Sequence, residues 1–504
     1  MAPIQRTWLI ALGLCAGHGL PFFCTLYIPN TAQSFLYEQV FAGSDANATL
    51  DLNETRSSAD GHRLGLSLMW SLFIAEMAMG QLVGYLIAAP LLDRFGRRRI
   101  LIASSLTLVP FQLCHMLARP VSCWQLLYVG RGGSMLVFAV SSVALPVYLN
   151  EVAPLAQRGS LGTCYPLSLS AGALLGGVLG LQAVLGSPAL WPLAFLLPTA
   201  CSVASLPLCY WLPDSPSYLA CTGELGKARD ALLFFHGSDA AFPALLQESP
   251  VLNPLPSPIL SVPKPTQKLE VKAALGQQKK ASVGAGCQAM LRLLGKKSLR
   301  LPMALTFVIA ATFAFSGISV VSAYSTAILA ASGLGWREAE WGTVGLKLLS
   351  FLTYLACLAL VDRLGRRSAV IWSLLVGAGF VPSGGLRSAL VTLLVYLGQL
   401  GMNLGIRPLF YVLVPELFPF RYRTAGKSLA ALAGVLATLP VLAAFWPLFQ
   451  LLGWPVFAAQ ALPLWLALAY LACRLPETKG RHPQDVFALL KARRRTWSNK
   501  PTPV

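Results

Sequence analysis

The side chains able to do chemistry in this sequence are few and set in unusual surroundings. Lys347, Ser350 and Tyr354 form one stripe at helical spacing, and Asn403, Arg407 and Tyr411, at i, i+4 and i+8, form another. Glu76 stands alone within "FIAEMAMGQ", and His18 lies in the first apolar stretch. A charged group inside apolar sequence is costly and by default marks function: a bound polar solute, an ion pair or a proton relay. The competing readings are snorkelling of Lys347 and Arg407 to a membrane face, and a paired or protonated structural Glu76. No phosphate loop, zinc spacing or nucleophile elbow is present, so the chain is not expected to be an enzyme. The eleven cysteines are scattered with no CxxC pair, which supports neither a metal nor a disulfide framework. No cofactor is expected, and Cys123, near a polar connection, reads as a small apolar filler.

Elsewhere charge is dense. "DRFGRRR" at 93–99 supplies Asp93, Arg94, Gly96, Arg97 and Arg98, and "DRLGRRS" at 362–368 supplies Asp362, Arg363, Gly365, Arg366 and Arg367. "EVAPLAQR" at 151–158 matches "ELFPFRYR" at 416–423, pairing Glu151 and Arg158 with Glu416 and Arg423. "LPDS" at 212–215 is answered by "LPET" at 475–478. Matches in order at nearly constant separation describe two repeats. They imply two six-helix bundles related by an axis normal to a membrane, with a solute site between them.

The elements that must position these residues are membrane helices. Only 12% of the 504 residues are charged, against about 25% in soluble domains. Twelve apolar stretches recur, centred near residues 18, 78, 109, 137, 172, 201, 311, 352, 377, 402, 437 and 464; about 20 residues suffice to cross a bilayer core. The first begins at residue 7 and reads as a retained signal-anchor helix. Runs such as "AGALLGGVLG" fit close helix packing. The net charge of +19 does not point to nucleic acid, because 31 of 39 Lys and Arg fall in the termini and alternate connections. Five lie in the opposite connections and three inside spans, so both termini are expected in the cytosol. The sequons at Asn47 and Asn53 both sit in the first poorly basic connection, where glycosylation is expected. The division is an N-terminal bundle at 1–212, a cytosolic insert at 213–300 with a proline-rich disordered middle, a C-terminal bundle at 301–474 and a cytosolic tail at 475–504. The insert's flanks, 223–236 and 286–299, carry apolar residues at helical spacing.

Across roughly residues 8 to 490 the sequence resembles the sugar porters of the major facilitator superfamily, most closely the animal facilitative glucose transporters. The resemblance rests on "DRFGRRR", "PVYLNEVAPLAQRG", "LWPL" at 190–193, "LPDSPSYL", "SGI" and "YST" within 316–326, "DRLGRRS", "PELF" at 415–418 and "LPETKGR". It implies an all-α membrane protein with the major facilitator fold. It also implies that the paired Glu and Arg, with the GRR turns, form a cytosolic gate of salt bridges that opens and closes. The implied solute site draws on Ser319, Tyr324, Asn403, Arg407, Tyr411 and Thr438. There the sequence departs from the family. Pro166 replaces a glutamine, Phe313 and Ala314 a glutamine pair, Ser319 an asparagine, Tyr411 a tryptophan and Asn403 a glutamate, and in the helix-eleven motif, here "GVLAT" at 434–438, only Thr438 is left polar. Proton-coupled sugar porters carry an aspartate where this chain has Thr25, while Glu76, with His18, is the candidate proton or ion-pair site.

The expected function is facilitative alternating-access transport of a hexose or related sugar. A urate- or dehydroascorbate-like organic anion, or a non-transporting sensor, are the rival readings. The expected partners are the solute and membrane lipid, with no nucleic acid; the chain is expected to be monomeric, in the plasma membrane or an endosomal one. "DVFALL" at 485–490 fits either a dileucine sorting signal or one turn of an amphipathic helix.

Overall fold

The computed structural model describes residues 3–31, 56–154, 157–187, 189–237, 299–379, 388–418, 422–479 and 485–490, with isolated positions between 290 and 296. Among these residues the regular structure is helical throughout. The first crossing is shared by α1 (Pro3–His18) and α2 (Leu20–Thr31). Next come α3 (Arg56–Phe95), α4 (Arg97–Leu117), α5 (Gln125–Val152) and α6 (Arg158–Leu179). A 3-10 turn at Trp191–Phe195 then leads into α7 (Leu196–Ala204) and α8 (Leu206–Trp211). Two short helices follow, α9 (Pro216–Cys221) and α10 (Leu225–His236). The second set opens with α11 (Arg300–Phe315), α12 (Ile318–Ala331), α13 (Trp336–Leu364) and α14 (Arg366–Gly379). It closes with α15 (Ser388–Leu404), α16 (Ile406–Glu416), α17 (Arg423–Leu452) and α18 (Pro455–Arg474).

Ten stretches among the described residues are long and apolar enough to cross a membrane, and α3 and α14 stand in the places of the other two expected spans. The chain is an integral, multi-pass membrane protein. Its outer surface agrees, since Trp372, Leu451, Leu462 and Leu466 are all strongly exposed, as lipid-facing side chains should be. Prolines lie inside several helices, including Pro90, Pro146, Pro166 and Pro440; packing against neighbouring helices makes them tolerable in a membrane.

Close approach is built from small residues. A Cβ on Gly172 or Gly176 of α6 would run into the backbone of Leu20 or Cys24 of α2, which bears out the packing expected of "AGALLGGVLG". The two halves meet along two seams, α3 against α17 and α6 against α13. The turns joining α3 to α4 and α13 to α14 share one end of the molecule, the basic face. Below the first half at this face lies α10. Thr7 Oγ1 donates to the Phe235 carbonyl at 3.2 Å, and the Arg6 guanidinium sits 3.7 Å from the Phe234 ring centre. Residues 485–490 form a helical turn with Val486 and Leu490 buried. Its second leucine therefore packs inward and is not displayed as a sorting signal would be. Asn47, Asn53, the side chains of Asp362 and Arg363, and the proline-rich middle of the insert lie outside the described residues.

Candidate functional site

The repeated turns have a repeated local cause. Gly96 and Gly365 adopt φ of +86° and +83°, a region that favours glycine. A Cβ on Gly96 would come within 2.8 Å of the Tyr218 ring, and one on Gly365 within 2.8 Å of Glu477 Oε2. Each glycine turns the chain sharply so that the next helix starts against a carboxylate. Asp214 Oδ1 accepts from the backbone N–H of Arg97 at 3.1 Å and of Arg98 at 3.3 Å. In the second half Glu477 accepts from Arg366 N at 2.9 Å and Arg367 N at 3.1 Å. A carboxylate at a helix N-terminus satisfies orphan donors and meets the positive end of the helix dipole. Burial pushes the Asp214 carboxyl above the usual aspartate range, while the Ser215 N–H and the Arg97 charge pull it down. Asp214 and Glu477 belong to "LPDS" and "LPET", and this capping role was missed from sequence. Their identical place in both repeats was the available signal.

The arginine side chains serve a second layer. Arg97 Nη2 meets Glu151 Oε1 at 3.0 Å, both side chains buried, while Arg98 Nε donates to the Cys209 carbonyl at 3.0 Å. The Arg94 guanidinium stands over the Phe95 ring, 5.0 Å from its centre. Arg367 Nη2 donates to the Ala472 carbonyl at 2.7 Å. Contacts also cross between the halves: Thr424 Oγ1 of α17 donates to Asp93 Oδ1 of α3 at 3.1 Å. Glu416 accepts from Thr478 Oγ1 at 2.7 Å and lies in the fields of Arg366 and, across the seam, Arg158. Arg423 is buried at the start of α17.

Deeper in the molecule, between the halves, is a cavity of about 160 Å³. Phe23, Phe138, Phe313 and Phe410 supply apolar walls, and Ser319, Arg407, Tyr411 and Thr438 all line it. Towards the basic face the Tyr165 ring of α6 meets the lining residue Tyr411 of α16 edge-on across the seam, centres 5.1 Å apart. Pro166 and Phe313 also line it, while Ala314 is buried outside it. Phe313 packs edge-on against Phe410 at 4.9 Å, so an apolar wall stands where the resemblance implied amides.

Two expected site residues are placed differently. Tyr324 does not line the cavity. Its hydroxyl donates to the Leu442 carbonyl at 3.1 Å and its ring stacks on Trp446, because α12 is broken at this residue, with φ −118° and ψ 18°. Asn403 is also outside the lining, and its role is to position others. Its Nδ2 donates to Ser350 Oγ at 2.9 Å, and its Oδ1 accepts from Arg407 Nη1 at 3.2 Å. Nor are Glu76 and His18 partners. The His18 ring is taken up by the carbonyls of Leu14 and Leu101 and by Ser105 Oγ, whereas Glu76 lies beside Arg131 and the Gly132 N–H. Thr25 Oγ1 donates to the Pro21 carbonyl at 2.9 Å and receives Gln112.

Tyr27 and Arg131 are cavity residues that sequence reasoning did not single out. Tyr27 is the shared neighbour of Lys347 and the half-buried Arg407. Lys347 Nζ lies 4.1 Å from its ring centre, and its hydroxyl is within hydrogen-bond reach of Arg407 and Ser322. Arg131 was one of the three cations inside spans, which was the signal available.

The sequence matches the family model described as "Sugar (and other) transporter" over residues 24–487. The chain belongs to this family. Curated relatives include the facilitated glucose transporter member 2 of Gallus gallus, 25% identical over 440 residues covering 85% of this chain and 77% of that protein. Another is the facilitated glucose transporter protein 1 of Caenorhabditis elegans, 27% identical over 450 residues, covering 86% and 82%. Among solved structures, the proton:xylose symporter XylE bound to 6-bromo-6-deoxy-D-glucose superposes with a TM-score of 0.73 at 18% identity, covering 96% of this chain and 99% of that one. The inward-open conformation of the xylose transporter XylE from E. coli gives a TM-score of 0.64 at 19% identity, covering 97% and 99%. These likenesses establish the major facilitator fold, two pseudo-symmetric bundles of six helices, and a sugar-transporter-family chain is not an enzyme.

Proposed function

We propose that this member of the sugar transporter family carries a monosaccharide across its membrane by facilitated diffusion, through alternating access. The observation that carries the reading is the cavity between the halves, lined from both, with Tyr165 against Tyr411 and Thr424 against Asp93 joining the halves across the seam. A solute held there reaches the far side only when those contacts part and the opposite end closes. The gate is then Arg97 with Glu151, Arg158 with Glu416, and the repeated GRR turns with Arg423, on a basic face that looks into the cytosol. Solute contacts come from Ser319, Arg407, Tyr411 and Thr438, with Asn403 holding Arg407. Glu76 acts as an ion-pair partner of Arg131, and Thr25, already engaged with Pro21 and Gln112, carries no proton for coupling.

Sugar rather than a general organic anion is favoured by the family match and by aromatic walls suited to the apolar faces of a pyranose. We place the protein in the plasma membrane as a monomer, with both termini cytosolic. Uptake of labelled hexoses into liposomes holding the purified protein tests the transport reading. Saturable uptake that dissipates with the sugar gradient and ignores a pH gradient is the expected result. A folded protein that moves no sugar would sink it. The topology is tested by replacing Asn47 and Asn53 with Gln, which should abolish the glycosidase-sensitive mobility shift.

A further inference from the structure

The cavity contains more positive charge than a neutral solute needs. Arg131 from α5, Lys347 from α13 and Arg407 from α16 all line it, and no Asp or Glu is among the lining residues. Among the described residues, Glu76 is the carboxylate found beside Arg131. Both Arg131 and Lys347 are buried. Guanidinium and ammonium groups are donors only, and taking cations out of water is costly unless an anion meets them. Lys347 and Arg407 repel each other; the Tyr27 hydroxyl lies within reach of both, and Arg407 also donates to Asn403 Oδ1, but neither partner carries a negative charge. The hydroxyls nearby serve another purpose. Ser170, Ser319 and Thr438 already donate to the carbonyls of Leu167, Phe313 and Gly434. They are therefore left to accept, which matches the O–H donors of a sugar.

Resting on the sugar-transport reading above, we infer that the solute is an acidic monosaccharide, whose anionic group sits between Lys347 and Arg407 and whose ring lies against Phe313 and Phe410. One acidic group meets the cations and the remaining hydroxyls meet the acceptors. The arrangement also links recognition to movement. Tyr27 belongs to one half and Lys347 and Arg407 to the other, so the bound anion sits beside contacts that cross the seam that must open and close.

The test is uptake of labelled glucuronate, glucose 6-phosphate and glucose into proteoliposomes, with thermal shift of the purified protein by each sugar. One of the two acidic sugars should be preferred over glucose by about tenfold or more, the discrimination expected of a charged hydrogen bond. The two acids separate a carboxylate from a phosphate as the recognised group. Lys347→Gln and Arg407→Gln should lose most of that preference, whereas Lys347→Arg and Arg407→Lys should retain it. Variants are compared only where size-exclusion behaviour matches wild type, and the wild-type preference stands as evidence without them. Glucose carried as well as or better than both acids would overturn the inference while leaving sugar transport intact. A folded protein that neither binds nor carries any of the three would overturn both.

Discussion

The basic face and the central cavity treat charge in opposite ways. At the basic face carboxylates answer the repeated turns: Arg97 has Glu151, and the backbone N–H groups at Arg97, Arg366 and Arg367 have Asp214 or Glu477. In the cavity Lys347 and Arg407 meet the neutral Tyr27 hydroxyl, Arg407 also Asn403, and Arg131 lies beside Glu76, while no Asp or Glu is among the lining residues. The first pattern is self-sufficient and duplicated, as a latch between two equivalent bodies should be. The second is incomplete and belongs to neither half alone, as a site awaiting an outside partner should be. The balance of carboxylates against cations thus separates the residues that hold the protein from those that hold its solute.

That contrast can be broken most directly at Glu151. Replacing it with Gln leaves a buried Arg97 without its ion pair, which typically costs about 3–5 kcal/mol. Thermal unfolding and surface abundance should both drop sharply; an unchanged melting temperature would show that Arg97 is satisfied elsewhere. Charge reversal across the seam, Arg158→Glu or Glu416→Arg, should instead slow uptake strongly at near-normal abundance, and normal uptake by both would reduce these charges to a topological role. A smaller effect is expected at the turns. Gly96→Ala and Gly365→Ala should each cost roughly 1–3 kcal/mol, since both force a side chain into positive φ, and the two losses should match if the halves are equivalent. Smallest is Thr424→Val, which removes one inter-half hydrogen bond of about 1 kcal/mol. Labelling of a cysteine placed in the cavity should show a few-fold shift towards the form open at the basic face, with stability nearly unchanged.

The spans, the repeat and the charged turns were legible because hydropathy and spacing act locally. The cavity was legible only in part. Ser319, Arg407, Tyr411 and Thr438 line the cavity, but Tyr324 lies outside the lining, at a break in its helix across which periodicity cannot be carried. Asn403 and Arg407 lie on either side of a break at Gly405, with φ −148° and ψ −68°, yet remain hydrogen-bonded. Tyr27 was invisible for another reason. A tyrosine among phenylalanines in an apolar span looks like packing until helices from the other half bring two cations to it. Pro166 and Phe313 line the cavity where the resemblance implied amides, and the polar groups beside them come from four different helices.

Fixed cations at the depth of the Lys347–Arg407 cluster also have an electrical consequence. Moving one elementary charge through the full membrane potential is worth about 2.3 kcal/mol per 100 mV. As the cavity exchanges one aqueous opening for the other, the potential felt by Arg131, Lys347 and Arg407 changes from that of one solution towards that of the other. The empty protein should therefore reorient with a measurable displacement current, and its resting orientation should follow voltage. A bound monoanion cancels one unit of that displaced charge, so loading would make the turnover step less voltage-sensitive than the return.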